Sequence, residues 1–557
     1  MYIIKKNISG HDYYYLNKSV REGDKVKSVN VAYLGKDKDE AEKKAEEIKK
    51  KMERDKVVEE VKENEAVKEK VEMKPLTIED MNNFCKRKGF VYPSGEIYGG
   101  LGGFWDFAHL GSELKKNLKD QWWKYHVHGR DDVVGIDGAI ITNPKVWEAS
   151  GHVGSFVDVA VICKKCKNKT KIDKHEVGKV KCDKCGGEFE NKGEFNPMFT
   201  TQVGPVKEDS IKAYLRPETA QLIFADYKLV QENARLQFPF GIAQMGKSFR
   251  NEISPREFLF RSREFEQMEI EYFIEEGLKC PYMDECKGVD ILIYDEKKQK
   301  EDKEAELIDL YEAWKNGIIK TDWHAYWIAK EFEWFLNLGA KAENFRIRQH
   351  VSDEKSHYAI DTWDIEYKFP MGWRELQGFA NRGNFDLTQH QEYSKKSMEV
   401  VNKDNKKVLA NVVCEPSLGV ERAFLVFMFD AYSQNEKGDV VLKLNPKLAP
   451  IKAAVFPIVK QPEYIEISEK IMSDLRKEFN VLYDKSGSIG RRYARNDEIG
   501  TPYCITIDEK SPKAQDVTIR DRDSRKQIRV KINDLKEVLR KLINCEVEFI
   551  KAGKLVK

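Results

Sequence analysis

The stretch Gly246–Tyr272 constrains the fold of this 557-residue chain more than any other. Two strand-like runs flank a polar segment that contains Ser254-Pro255. Because proline cannot donate to a strand ladder and disfavours helix at the preceding residue, this segment is a predicted loop between antiparallel strands. Strand alternation then predicts two faces for the second run. One face carries Phe265, Gln267, Glu269 and Glu271, and the other carries Met268, Ile270 and Tyr272.

The polar face of this hairpin is typical of a binding surface rather than a packing surface. Arg250 and Glu252 share a face of the first run, so an arginine, glutamates and an aromatic ring point into one space. A guanidinium suits phosphate, and carboxylates suit an exocyclic amine, so a nucleotide fits this set. A charged hairpin with solvated glutamates is the alternative. Two further segments with complementary charges, LRPETAQ at 215–221 and CEPSLGVER at 414–422, favour the nucleotide site.

The runs FRNE, FRSREFEQME, RPETAQ and EPSLGVER resemble motifs 2 and 3 of class II aminoacyl-tRNA synthetases and their neighbouring segments. The likeness is to the homodimeric glycyl-tRNA synthetases, and it extends from about Thr77 to about Leu542. It implies an α+β protein with an antiparallel-sheet catalytic domain that carries an inserted zinc ribbon. It also implies a C-terminal α/β anticodon-binding domain. The small N-terminal β unit and its charged helix lie outside the resemblance.

The predicted domains follow from these patterns. Tyrosine- and valine-rich runs at 13–15, 26–31 and 33–36 predict a three-stranded meander in residues 1–36, either an RNA-binding unit or a solubilising appendage. A run of Glu, Lys and Ala predicts a charged helical linker at 37–72. We expect the catalytic domain at 73–447, with the ribbon at 160–190 and a charged peripheral insertion at 275–321. Alternating strands and helices predict an α/β layer at 448–557, and the resemblance implies that it is an anticodon-binding domain.

The remaining assembly and location predictions combine composition with the resemblance. A helix at 112–125 and a strand at 133–142 resemble motif 1, which implies a homodimer. The hydrophobic fraction is 41% and the charged fraction 34%, and the longest apolar run, Ala423–Phe429, is too short to span a bilayer. The first residues contain no apolar signal core, so we expect a cytoplasmic protein with no membrane partner. A net charge of +2 leaves tRNA binding to local basic patches.

Four of the ten cysteines have the spacing of a metal site. Cys163-x2-Cys166 and Cys182-x2-Cys185 are separated by fifteen residues, which predicts two knuckles closing on one structural Zn²⁺. Four reduced cysteines are the alternative. Many relatives carry an arginine near the substrate in this module, where Lys171 occurs here, so a substrate contact from this position is in doubt.

The resemblance implies a glycine–tRNA ligase that makes glycyl-adenylate from ATP, with Mg²⁺, and transfers glycine to the 3′ end of tRNA(Gly). Arg250 and Arg422 are the implied catalytic residues, on the α- and γ-phosphates, and Phe265 would stack on adenine. Glu375 and Glu415 would ligate magnesium. The full implied ATP set is Arg250, Asn251, Glu252, Phe260, Arg261, Phe265, Glu375, Leu376, Arg382, Glu415, Gly419 and Arg422, with Arg261 and Arg382 assisting Arg422.

Glycine offers a pocket only an ammonium and a carboxylate, so the pocket must supply acceptors and fill the space of a Cβ. The resemblance assigns the acceptors to Glu218, Glu269, Glu415 and Ser417. Because a clash excludes alanine effectively, no editing domain is required. In the C-terminal region, basic residues beside an aromatic ring predict anticodon contacts, with solvated surface as the alternative. These residues are Arg491, Arg492, Tyr493 and Arg495.

Three other functions are open at this point. A synthetase-like binding module without catalysis is disfavoured, because each expected arginine and glutamate of motifs 2 and 3 is present. A class II synthetase for another amino acid is disfavoured by the RPETAQ and FEQME carboxylates, which suit an ammonium with nothing beyond it. A zinc-ribbon RNA-binding protein explains the cysteines but not Glu218, Arg250 or Arg422.

Overall fold

The structure is a computed structural model of the 557-residue chain. It describes residues 2–8, 11–22, 25–35, 37–38, 40–42, 44–46, 75–155, 158–172, 178–182, 184–206, 208–253, 255, 257–351, 361–435 and 438–556. The chain divides into two compact units, Met1–Pro75 and Leu76–Lys557.

The first unit contains a three-stranded antiparallel meander. Its strands are β1 (Tyr2–Ile8), β2 (His11–Glu22) and β3 (Lys25–Gly35), in the order β1-β2-β3. The sequence analysis missed β1. It also divided β3 in two, because two register shifts in the β2–β3 ladder interrupt the alternation of β3. Leu16, Leu34, Ala41 and Ala45 form a small buried cluster. Most of the linker predicted at 37–72 lies outside the described residues.

The second unit begins with the elements of the predicted catalytic domain. Its helices are α1 (Ile78–Lys88), α2 (His109–Trp123), α3 (Pro144–Ala149), α4 (His152–Ser155), α5 (Ala220–Ala234), α6 (Glu296–Lys300), α7 (Leu310–Lys315), α8 (Asp322–Asn337), α9 (Phe385–Ser394) and α10 (Val420–Ala431). Its strands are β4 (Val91–Pro93), β5 (Trp105–Phe107), β6 (Val133–Ile136), β7 (Ile141–Thr142), β8 (Asp158–Cys163), β9 (Lys169–Ile172), β10 (Phe189–Phe195), β11 (Thr200–Val203), β12 (Ile211–Leu215), β13 (Phe240–Phe249), β14 (Glu264–Ile274), β15 (Asp290–Tyr294), β16 (Glu306–Asp309), β17 (Phe345–Gln349), β18 (Asp361–Phe369), β19 (Gly372–Asn381), β20 (Val400–Val401), β21 (Lys407–Val408), β22 (Asn411–Gly419), β23 (Tyr432–Gln434) and β24 (Val440–Leu442).

A nine-stranded sheet, in the order β16-β15-β17-β18-β19-β22-β14-β13-β6, organises this part of the chain. Its central pairs are antiparallel, as predicted, whereas β6 pairs with β13 and β15 with β17 in parallel. The insertion predicted at 275–321 is therefore not a simple surface excursion. It supplies β15 and β16, which extend the sheet at one edge.

Strand β14 is buried on both faces. Met268, Ile270 and Tyr272 are fully buried in the main apolar core. The Tyr272 ring centroid lies 5.0 Å from the rings of both Trp323 and Trp327 on α8. The carboxylates of the opposite face are also buried, so the two-faced alternation expected from the sequence is present in the middle of the sheet.

The C-terminal part of the second unit has a sheet and a core of its own. Its strands are β25 (Ala453–Pro457), β26 (Val481–Tyr483), β27 (Tyr503–Ile507), β28 (Asp516–Asp521), β29 (Gln527–Lys531) and β30 (Lys554–Leu555). Its helices are α11 (Pro462–Leu475), α12 (Ile489–Glu498), α13 (Ser511–Ala514) and α14 (Leu535–Ile543). The order β26-β25-β27-β28-β29-β30 starts parallel and becomes antiparallel after β27. This arrangement agrees with the predicted α/β layer.

Among the described residues, no helix combines the length and the apolar composition that a membrane crossing requires.

The two-faced burial of β14 predicts the cost of emptying its apolar side. Ile270→Ala should lower the free energy of unfolding by about 2–5 kcal/mol, because a fully buried side chain leaves a cavity. Leu229→Ala is the matched control, since Leu229 is 60% exposed on α5 and its loss should cost less than about 0.5 kcal/mol. Denaturant unfolding measures both variants, and equal effects would contradict this description of the core.

Candidate active site

The sheet brings the three predicted functional segments side by side. Along β14 and β22, Gln267 pairs with Gly419 and Glu269 with Ser417, and Gly378 on β19 also pairs with Ser417. On the other side β14 pairs with β13, which leads into Arg250. Gly246 on β13 lets the buried guanidinium of Arg216 pack against this strand. A Cβ at position 246 would lie 2.0 Å from an Nη atom of Arg216.

A cavity opens over the polar face of β14. Nine of the predicted ATP residues line it: Arg250, Glu252, Phe260, Arg261, Phe265, Glu375, Leu376, Gly419 and Arg422. The other lining residues are Leu259, Ser262, Gln267, Gly378, Ser417 and Glu421. Cations, carboxylates and an aromatic ring therefore meet in one space, as the hairpin alternation predicted.

Within the cavity, Arg250 lies beside Phe265. The guanidinium carbon of Arg250 lies 5.4 Å from the centroid of the Phe265 ring, within the range of a cation–π contact. Nε of Arg250 donates to the carbonyl of Pro217 at 3.0 Å, which ties it to the RPETAQ segment. An arginine fixed beside a ring suits the junction between a base and its α-phosphate.

Arg422 is paired with Glu375 in the same cavity. Nη1 of Arg422 lies 3.1 Å from a carboxylate oxygen of Glu375 and donates to its backbone carbonyl at 2.8 Å. The guanidinium also packs over the Phe260 ring, 4.6 Å from its centroid. Arg422 holds the pKa of Glu375 below its usual range. Exposed Arg261 lines the same cavity, so two arginines are available to an anion.

A cluster of carboxylates lies deeper on the same face of the sheet. Oxygens of Glu269, Glu271 and Glu415 lie within 4.8 Å of one another, and the three residues are 1%, 0% and 7% exposed. Thr219 donates to Glu269, and Gln221 donates to Glu218 at 3.2 Å. The predicted acceptors for an ammonium group therefore occupy one buried region.

Arg382 lies in this cluster rather than with Arg422, which corrects the prediction that it assists at the γ-phosphate. Its Nε and Nη2 bind both oxygens of Asp386 at 2.7 and 2.9 Å. Its Nη1 donates to the two oxygens of Glu415 at 3.2 and 3.0 Å. At 2% exposure the guanidinium is fixed between carboxylates, because a buried charge needs partners.

Two further members of the predicted ATP set lie away from the cavity lining. Asn251 is exposed, and its backbone N–H donates to the carbonyl of Pro197 at 2.7 Å. Glu415 is buried against Arg382. Ala380 on β19 pairs with Glu415 on β22. Glu375 lies five residues from Ala380 along β19, so at the rise of a strand its backbone is about 15 Å from the backbone of Glu415. The structure thus does not bring the predicted magnesium ligands Glu375 and Glu415 together.

The electrostatics of the cluster differ from one carboxyl to the next. Burial alone would raise the pKa of Glu218, but His152 at 3.3 Å, with Arg382 and Arg250 nearby, lowers it well below its usual range. Burial raises the pKa of Glu415 to about 8, although Arg382 opposes the shift. Burial and Glu415 raise the pKa of Glu271 well above its usual range. The cluster therefore carries fewer negative charges at neutral pH than it has carboxyls.

Four residues of the cluster were not among the predicted ligands: Gln221, His152, Asp386 and Glu271. Gln221 bridges Glu218 and Asp386, and His152 contacts Glu218. Neither Asp386 nor His152 has a sequence signal, because each reaches the cluster from a distant element. Glu271 had a signal, since strand alternation placed it on the polar face.

The four predicted zinc ligands converge in the three-stranded ribbon β10-β8-β9. The Sγ atoms of Cys163 and Cys185 lie 3.4 Å apart, those of Cys166 and Cys182 lie 3.6 Å apart, and all four lie within 4.8 Å. In a tetrahedral Zn²⁺ site, Zn–S bonds of about 2.3 Å place the sulfurs about 3.8 Å apart. The observed separations are close to this value, so the four sulfurs fit a metal. The side chain of Lys171 lies outside the described residues.

The predicted anticodon cluster is divided by the fold. Arg492 is 4% exposed and donates to the carbonyls of Pro457 and Gly487, so a structural role replaces its predicted contact with RNA. Arg495 pairs with Asp484, and the Tyr493 hydroxyl bonds to Thr506. Arg491 is exposed on α12. The exposed basic surface of this cluster is therefore smaller than its sequence indicated.

Comparison with known proteins places the chain in a family. Residues 452–542 match the anticodon binding domain model. The chain is 41% identical over 486 residues to the glycine–tRNA ligase of Borreliella burgdorferi, covering 86% of this chain and all of that one. It is 40% identical to that of Treponema denticola over 478 residues (84% and 97%) and 43% identical to that of Acetivibrio thermocellus over 491 residues (82% and 97%).

These likenesses extend over most of the chain and over nearly the whole length of each relative. The chain belongs to the glycine–tRNA ligase family.

Proposed function

We propose that the cavity over β14 binds ATP and glycine side by side and joins them into glycyl-adenylate, the first step of the glycine–tRNA ligase reaction. The observation that carries this proposal is the presence of two neighbouring regions on one face of β14, a cavity lined by Arg250, Arg261 and Arg422 and a buried carboxylate cluster of Glu269, Glu271 and Glu415. Polyphosphate is attracted to the first and an ammonium to the second. Ser417 and Gln267, which line the cavity beside the carboxylates, lie between them.

In this proposal the nucleotide lies along the lined cavity. Phe265 stacks on adenine and Glu252 accepts from its amine, while Arg250 binds the α-phosphate and the glycine carboxylate. Arg422, assisted by Arg261, binds the γ-phosphate. The carboxylate of glycine attacks the α-phosphate and pyrophosphate leaves. Since no side chain forms a covalent bond, these residues act by positioning and by neutralising charge on phosphate.

Glycine would be bound through its ammonium. Glu218, Glu269, Glu415 and Ser417 supply the acceptors. The low pKa of Glu218 supports its role as the charged acceptor, because that carboxylate stays ionised as glycine binds. The fixed pairing of Arg382 with Glu415 supports a rigid pocket that leaves little room for a Cβ.

Mg²⁺ in such a site neutralises phosphate charge, and Glu375 is the carboxylate proposed to hold it, since Glu415 lies away from it against Arg382. Glu375 has the better placement for this role, because it lies beside Arg422 at the proposed phosphate end and is more than half exposed.

Further proposals concern the metal, the RNA and the assembly. The four ribbon cysteines would hold one structural Zn²⁺, a closed site without a catalytic role. The C-terminal α/β region would bind the anticodon of tRNA(Gly), with Arg491, Tyr493 and Arg495 as candidate contacts. Dimer formation through α2 and β6 is supported by Ile140 and Ile141, which are 39% and 51% exposed just after β6.

A non-reactive analogue of glycyl-adenylate tests the site directly. It lacks the β- and γ-phosphates, so Phe265→Ala and Glu218→Gln should each weaken its binding about tenfold or more, as loss of a stacking or charge-assisted contact of about 1.5–3 kcal/mol requires. Arg422→Ala is the matched control: analogue binding should remain within twofold, while ATP binding falls. Titration calorimetry measures the binding of the analogue and of ATP to each variant. If Arg422→Ala weakened the binding of both ligands equally, the β- and γ-phosphates would lie elsewhere than at Arg422.

The zinc proposal predicts a metal content of about one Zn²⁺ per chain. Cys166→Ser should abolish it, because three thiolates and a hydroxyl hold the metal far more weakly. Cys545→Ser is the control, since Cys545 is also exposed but lies outside the ribbon. Elemental analysis of the purified variants measures the content, and full zinc in the Cys166 variant would exclude this ligand set.

A further inference from the structure

Three charged side chains from different elements meet beside Phe265: Lys115 on α2, Glu266 on β14 and Glu421 at the start of α10. We call them the Lys115 triad. Nζ of Lys115 lies 2.7 Å from Oε1 of Glu421 and 2.9 Å from Oε1 of Glu266. The residues are 9%, 9% and 5% exposed, so this is a buried ionic contact between the three segments that resemble motifs 1, 2 and 3.

The triad is ionic, and Lys119 beside it balances its charge. Burial would lower the pKa of Lys115, but Glu421 and Glu266 outweigh it and raise that pKa. Burial likewise opposes ionisation of Glu266, but Lys115 and Lys119 lower its pKa. Lys119 contacts the second oxygen of Glu266 at 2.7 Å, so two ammonium groups face two carboxylates. Such buried pairs seldom add net stability over apolar residues of the same size, which points to a positional role.

Glu421 takes the place of a missing strand. Strand β22 ends at Gly419, opposite Gln267, and the chain then turns into α10. The first residues of β14 consequently have no partner from β22. Oε2 of Glu421 accepts a hydrogen bond from the backbone N–H of Glu266 at 2.9 Å and continues the ladder by one step. The backbone next to Phe265 is thereby fixed by a side chain whose other oxygen is held by Lys115.

We propose that Lys115 and Glu421 are positioning residues that fix Phe265 as the platform for the nucleotide base. This inference rests on the proposed stacking role of Phe265. Phe265 is half-buried, lines the cavity and directly precedes Glu266, whose backbone and side chain are both held by the triad. Loss of the triad lets the start of β14 move and the ring leave the plane in which it meets adenine.

The test uses the full-length protein with Lys115→Met and Glu421→Gln. Lys116→Met is the matched control, because Lys116 pairs with Asp120 on the exposed side of the same helix. Lys115→Arg retains the charge and should restore binding if Lys115→Met loses it. Calorimetry gives the dissociation constants of AMP, of a non-hydrolysable ATP analogue and of glycine for each variant, and thermal melting confirms that each is folded.

AMP and the ATP analogue should weaken by the same factor, about tenfold, with glycine within twofold, because a base platform acts equally on both nucleotides. Weakening of the ATP analogue alone would mean that the triad acts through Arg422 and would overturn the inference. The inference would also be overturned if Phe265→Ala weakened AMP binding while the folded Lys115→Met and Glu421→Gln variants bound AMP as tightly as the unaltered protein. If Phe265→Ala itself leaves AMP binding unchanged, the proposed stacking role fails, and the inference fails with it.

Discussion

The burial of β14 on both faces is the constraint on which the rest of the structure depends. A central strand that carries carboxylates on one face needs a compensating apolar face on the other, and Met268, Ile270 and Tyr272 supply it against α8. On the polar face the cost of burying carboxylates is offset by a few fixed donors. Arg382 is the main one, because its guanidinium binds Asp386 and Glu415 together.

This arrangement separates charge along a single cavity. Arg250 and Arg422 both line the open part, and the carboxylate cluster lies next to Ser417, which pairs with Glu269. In the proposed site, a substrate with one ammonium and one carboxylate would lie across the boundary with its ammonium toward the carboxylate cluster. The carboxylate then faces the proposed α-phosphate position, which is the geometry that the first step of the reaction requires.

Local rules in the sequence predicted the hairpin and the face of Glu269 and Glu271, since strand alternation alone determines which side chains share a face. They also predicted the cysteine ribbon from ligand spacing. They could not predict the partner of Arg382, because Asp386 and Glu415 reach it from a helix and another strand. Long-range pairing also decided that the 275–321 insertion joins the main sheet.

The same limit explains the misplaced functional residues. The magnesium prediction joined Glu375 with Glu415 because both belong to family motifs, but the β19–β22 register sets them about 15 Å apart. Arg492 belongs to a basic run, yet helix α12 turns it toward backbone carbonyls of the interior. A run of like residues gives the composition of a surface, whereas the helix orientation decides which members reach solvent.

The central claim is that this cavity activates glycine and no larger amino acid. ATP–pyrophosphate exchange without tRNA, measured with one amino acid at a time, tests it most directly. The account predicts exchange with glycine and none above background with alanine or serine, because the proposed pocket offers acceptors for an ammonium and is proposed to exclude a Cβ by a clash. Exchange with another amino acid would contradict the pocket assignment, and no exchange in a folded, zinc-loaded sample would contradict the proposed chemistry.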